Sequence, residues 1–174
     1  TQTNNDVSST NEDVEFGAVS GISFSLTTTG DNISFEAPIT MNQNSSLSTG
    51  ATGLGVVTLS SSVNSSASTT KNLTVTNANG TANIGGSLGT VTNGELGFLA
   101  ITSNAINFTD NLSTTTVKTK GSSGQSYNGT VSLSGDVVMN AGNLGPVSFS
   151  STIDSAPLAT KSLTLQGVNA VQLN

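Results

Sequence analysis

The chain has 174 residues, a third of them hydrophobic, yet only 4% are aromatic and 8% charged, with 19 Gly and no Cys. Ten carboxylates against four Lys, with no Arg or His, give a net charge of −6, which excludes the basic patch that nucleic acid or an anionic membrane surface would need. The absence of Cys excludes disulfides, thiolate metal sites and Cys nucleophiles together, and no run of eighteen apolar residues could insert in a membrane.

In chain order, residues 1–14 (TQTNNDVSSTNEDV) are polar and acidic and read as an N-terminal tail without a core of its own. Opening at Thr1 without a signal peptide, the chain reads as processed or as a fragment. From Glu15 onward, short alternating segments follow one another: ISF, ITM, VVTL, LTV, ANI, LAI, INF, VSL, VVM, VSF, LTL and VQL. Each is rich in β-branched residues and is bounded by Gly, Asn or Ser, and apolar residues recur at two rather than at three and four, so every segment predicts a half-buried strand. No helical pattern competes, and the chain reads as all-β.

The strands repeat. LGVVTLSSSVNSSASTTKNLTV (Leu54 to Val75) returns ninety residues later as LGPVSFSSTIDSAPLATKSLTL (Leu144 to Leu165), with ten of twenty-two positions identical and six exchanged like for like. ISFEAPITMN (Ile33 to Asn42) returns as VSLSGDVVMN (Val131 to Asn140), and EFGAVSGISF (from Glu15) as LGFLAITSNAINF (from Leu96). Two units, 15–95 and 96–174, cover everything after the tail. Such internal repeats predict one continuous β-solenoid of about eight short coils, in which small inward residues stack coil upon coil. The alternative is two tandem immunoglobulin-like β-sandwiches or a strand-exchanging sandwich, but these want longer strands and a large central aromatic, and the chain has no Trp and one Tyr.

The phrases SGDVVMNAGNLGPVSFSSTIDS, TKSLTLQG and GSSGQSYNGTVSLSGDVVM resemble the repeat regions of large secreted bacterial adhesins of the filamentous haemagglutinin type. The likeness runs over most of Gly17 to Asn174. It implies a right-handed parallel β-helix, an extracellular or cell-surface location, and a role as an adhesive stalk. The secretion-domain signatures of that family have no counterpart in residues 1–20.

Candidate sites are few. Asn32, Asn44, Asn64, Asn72, Asn79, Asn107, Asn111 and Asn128 each open an Asn-X-Ser/Thr sequon and are possible glycosylation positions if the source glycosylates exported proteins. Lys71 and Lys161 hold the same place in the two copies, which suits either a spaced cation or a charge that discourages stray strand pairing. Tyr127 suits either a sugar-stacking surface or a corner of the core. Asp31 and Asp110 beside Asn, and the acidic tail, offer oxygen ligands but lack the spacing of a calcium loop, so no metal or cofactor is expected. Catalysis is not expected either, because Glu95, Asp110 and Asp136 are scattered acids without His or Arg to assist them. Ice binding would need Thr-X-Thr on successive coils; Thr74-Val75-Thr76 and Thr90-Val91-Thr92 qualify, but no such pair recurs at coil spacing. The expected partners are the chain itself, head to tail in a filament, or the rest of a longer stalk, with a surface glycan or host receptor as a further possibility.

Overall fold

The computed structural model describes residues 25–50, 54–66, 69–109, 114–158 and 160–174, together with the backbone of strands 7–9 and 14–16. The strands are β1 (Val7–Ser9), β2 (Val14–Phe16), β3 (Ser25–Thr28), β4 (Ile33–Phe35), β5 (Ile39–Met41), β6 (Ser45–Ser48), β7 (Val56–Leu59), β8 (Val63–Ser65) and β9 (Leu73–Ile84). They continue with β10 (Leu99–Phe108), β11 (Thr114–Lys118), β12 (Gln125–Leu133), β13 (Asp136–Asn140), β14 (Val147–Phe149), β15 (Ile153–Ser155), β16 (Leu163–Gln166) and β17 (Val171–Leu173). Every pairing among them is parallel, and each strand pairs with the strand one coil before or after it. The described residues contain no helix, so the chain is an all-β parallel solenoid.

Three faces make the coil. The first is β1, β3, β6, the leading halves of β9, β10 and β12, then β14 and β17. The second is β2, β4, β7, the trailing halves of the same three long strands, and β15. On the third, β5 and β8 connect through bridges at Leu88 to β11, β13 and β16. Equivalent positions on the first face, Leu26, Leu47, Val75, Ile101, Tyr127 and Phe149, lie 21 to 28 residues apart. The coils are therefore longer than twenty residues, and the described chain completes about six turns rather than eight. The extra length sits in the turns, such as the long connection from β8 to β9.

Alternation decides the core. On each face the inward residue of one coil stacks on its counterpart in the next, about 4.8 Å away. Ile33, Val57, Ala82, Ile106 and Val131 form one such column; Phe35, Leu59, Ile84, Phe108 and Leu133 form another; Ile39, Val63, Leu88, Val117 and Met139 form a third, and all of these side chains are buried. The ladder continues across the boundary expected at residue 95, since β9 and β10 pair from Leu73–Leu99 to Ile84–Phe108 with one slip, between Ser103 and Ala105. At the N-terminal end, β1 pairs with β3 and β2 with β4, so strand pairing reaches into the stretch read as a tail.

Between the first and second faces the chain turns on small polar residues. Thr28, Thr49, Asn77 and Ser103 are buried at this corner. Thr28 Oγ1 donates to the Asp31 carbonyl (2.6 Å), Asn77 Nδ2 to the Thr81 carbonyl (2.6 Å), and Ser103 Oγ to the carbonyls of Ala105 (2.8 Å) and Gly80 (3.0 Å). Side-chain bonds of this kind replace the ladder where the backbone leaves it. Because the corner is bridged so tightly, β9, β10 and β12 run through it as single strands of nine to twelve residues, where the sequence pattern suggests pairs of short ones. Gly80 is required here, as a Cβ would stand 1.9 Å from the Gly55 carbonyl oxygen of the coil before.

The ninety-residue repeat has an unexpected geometry. Val57, Leu59 and Val63 lie on the second, second and third faces, whereas their counterparts Val147, Phe149 and Ile153 lie on the first, first and second. The two copies share inward and outward alternation but are rotated by one face of the coil. What they share is a turn: Ser65 Oγ accepts the Lys71 amide (2.8 Å) and Ser155 Oγ accepts the Lys161 amide (3.1 Å). A second quoted match, Ile33 and Phe35 with Val131 and Leu133, is in phase, each pair occupying one column, and the third, from Glu15, falls largely outside the described residues.

Candidate functional site

The sequon asparagines do structural work. The Oδ1 of Asn32 accepts the Val56 amide (2.7 Å), that of Asn44 the Asn72 amide (2.9 Å), and that of Asn64 the amides of Thr90 and Val91 (2.8 and 3.2 Å), each reaching the following coil. Asn64 is only 4% exposed. Asn72 and Asn107 are half-buried, and Asn107 Nδ2 donates to Asn83 Oδ1 (3.1 Å). Asn32, Asn44, Asn79 and Asn128 are exposed; Asn111 lies outside the described residues.

Tyr127 belongs to the core rather than to a sugar-stacking surface. Its ring stacks on Phe149 (centroids 5.2 Å, 15°) and meets Phe108 edge-on (6.0 Å, 62°). Burial pushes the phenol well above its ordinary range. Its hydroxyl donates to Gln125 Oε1 (2.8 Å), and Gln125 Nε2 in turn donates to the carbonyls of Asn140 (3.1 Å) and Val117 (3.3 Å) and to Thr119 Oγ1 (3.4 Å). A fully buried carboxamide thus ties the first face to the third, and both its polar ends are satisfied.

The acids are not brought together. Asp136 is half-buried, and its Oδ1 accepts the Ser162 amide (2.9 Å), a bond that holds its carboxyl below the usual carboxylate range. Glu95 lines a cleft of about 230 Å³ with Lys118, Thr119, Lys120 and Asn140. Asp31 is half-buried in the turn before β4, and Asp110 lies outside the described residues. Among the described residues no group of three or more His, Cys, Asp or Glu could hold a metal ion. Lys71 and Lys161 are half-buried, each anchored through its amide in the shared turn.

Two surface features escape a reading of the sequence. On the first face the outward residues form two columns: Ser25, Ser46, Thr74, Ala100, Ser126 and Ser148, and beside them Thr27, Ser48, Thr76, Thr102, Asn128 and Ser150. Among the described residues these columns carry no charge, and Thr74 and Thr76 are one rung of them. Beside the second column, at the corner, lies a groove of about 360 Å³ lined by Ala78, Thr102, Ser103, Asn104, Asn128, Gly129, Thr130, Ser150 and Ser151. It exists because the ladder slips between Ser103 and Ala105 of β10, a bulge that turns Asn104 outward. Only the register of four consecutive coils brings these residues together, which is why no motif announces them.

Comparison of the chain with protein families, with curated proteins and with solved structures returns no match in any of the three. Its class therefore rests on its own geometry: an all-β parallel solenoid of about six turns. No helix among the described residues is long and apolar enough to cross a membrane.

Proposed function

We propose that the chain is a non-catalytic segment of an extracellular stalk or fibre, carrying load along the coil axis and presenting an adhesive flank. The observation that carries this reading is the continuity of the inward columns. Each coil is templated by the one before it, with its inward columns continuous on either side of the slip in β10. At the C-terminal end the columns are not closed: Ile153, Leu163 and Leu165 are only half-buried, Val171 is 46% exposed and Leu173 71% exposed. An open parallel edge of this kind accepts a further coil. A coil of the same polypeptide or of a second copy meeting it head to tail fits such an edge, and the second arrangement does not close and grows a fibre. The resemblance of the repeats to filamentous-haemagglutinin-type adhesins supports the stalk, and the scattered acids support the absence of catalysis.

Electron microscopy of the protein, alone and within its longest natural polypeptide, tests the proposal. Rods or filaments lengthening by about 4.8 Å for every coil added support it. Compact particles at every length, or turnover of a polysaccharide, would overturn it.

A further inference from the structure

We propose that the corner groove over β9, β10 and β12 binds a neutral, extended oligosaccharide. The proposal goes beyond the stalk reading and stands without it, because the groove is complete within four coils of one chain.

The lining selects the ligand class. Apart from Ala78 and Gly129 it consists of hydroxyl and carboxamide side chains, which can both donate and accept, and it holds no charged residue. An anionic glycan or a phosphate ester would find no cation there, and a lipid or apolar peptide would find no greasy wall. A neutral sugar offers what the groove can match, uncharged hydroxyls that donate and accept. Part of the wall is already ordered: Ser150 Oγ donates to Asn128 Oδ1 (2.6 Å), and the hydroxyls of Thr130 and Ser151 lie 3.5 Å apart. Thr102 and Asn104 engage no hydrogen-bond partner among the described residues, so their polar atoms are free to take a ligand's hydroxyls.

The floor and the period fit as well. Gly129 sits opposite the bulge with φ 151°, and a Cβ there would stand 1.9 Å from the Ser103 carbonyl oxygen, so the corner stays bare of any side chain at its middle coil. Thr102, Asn128 and Ser150 occupy one outward column on consecutive coils, about 4.8 Å apart, a repeat close to the rise of one sugar ring in an extended chain. One ring per coil would lay a short oligosaccharide along the solenoid axis.

The test is a nuclear magnetic resonance titration of the intact chain with neutral β-linked hexose di-, tri- and tetrasaccharides, and with a sulfated oligosaccharide in parallel. Thr102→Val and Asn104→Ala remove the two free polar groups without entering the core; Thr58→Val, on the second face, is the control. The expected result is a set of shifts centred on the amides of residues 102–104 and 128–130, growing from di- to trisaccharide. Each groove variant should weaken binding by about tenfold, with Thr58→Val unchanged. No shift at those amides up to tens of millimolar sugar would overturn the proposal. So would binding that ignores both groove variants, binding confined to the sulfated sugar, or a surface that orders ice without responding to any glycan. Rods seen by microscopy without glycan shifts would leave the stalk standing and remove the groove.

Discussion

Val63→Ala and Ile153→Ala, made singly, distinguish a stack of columns from a pair of equivalent repeats. Val63 is 1% exposed and clamped between Ile39 and Leu88, whose backbones the ladder holds at fixed spacing. Losing two carbons there removes about 1.6 kcal/mol of transfer energy at ~0.8 kcal/mol per CH₂. Its neighbours cannot collapse into the space, so a cavity term brings the cost to about 2–3 kcal/mol. Ile153 loses three carbons, but it is half-buried and has a paired inward neighbour, Val131, on one side only, so about 1 kcal/mol is expected. Copies holding equivalent places would rank the two the other way, since isoleucine is the larger side chain. Urea unfolding read together with hydrogen exchange is the suitable assay, because a solenoid opens coil by coil and a single midpoint averages over its parts. An Ile153→Ala cost equal to or greater than that of Val63→Ala would refute the rotated register.

Asn64→Ala should destabilise by about 1–2 kcal/mol, since the part-buried amides of Thr90 and Val91 lose their shared acceptor, whereas Asn44→Ala at the surface should cost under about 1 kcal/mol in the same unfolding assay. Tyr127→Phe keeps the ring stack but strips Gln125 Oε1 of its donor, for an expected loss of about 1–3 kcal/mol. Because burial raises the folded phenol above its unfolded value of about 10, the stability Tyr127 confers is full below that pH and drains away above it; ultraviolet titration should show phenolate appearing only as the chain unfolds. Asp136 works in the opposite direction: its depressed carboxyl supports the turn at Ser162 above the unfolded value near 4 and ceases to as pH falls through its folded value, which exchange of the Ser162 amide should report. Leu158 is fully exposed at φ 65°, so Leu158→Gly should relieve strain and raise stability by up to about 1 kcal/mol in thermal unfolding.

The strands themselves were legible. All twelve alternating segments, from ISF to VQL, lie within strands, because a period of two with β-branched residues has no other good conformation. Less legible were SLTT at β3, SSLS at β6 and TTTVK at β11, where Ser or Thr stands at inward or corner positions and blurs the alternation. The phase of the repeat was hidden for a different reason. A turn such as Ser65 to Lys71 serves at any corner of a three-faced coil, so sequence identity reports the turn without saying which corner it occupies. Tyr127 shows the same limit, since only the neighbouring coils, with Phe108 and Phe149, reveal that it faces inward. The groove depends on a one-residue slip in β10 and on residues from four coils, and neither has a local signature. Free polar atoms at Thr102 and Asn104 look like any others in a chain rich in Ser, Thr and Asn.

The most direct test of the stacked fold is a distance. The chain has no Cys, so Ser46→Cys and Ser148→Cys can be spin-labelled without interference. Both stand in one outward column of the first face, four coils apart through Thr74, Ala100 and Ser126. Pulsed electron paramagnetic resonance should find the labels about 19 Å apart, four steps of about 4.8 Å, in a single narrow distribution. A separation beyond roughly 30 Å, the spacing of two tandem domains of eighty residues each, would contradict the solenoid and everything built on its register.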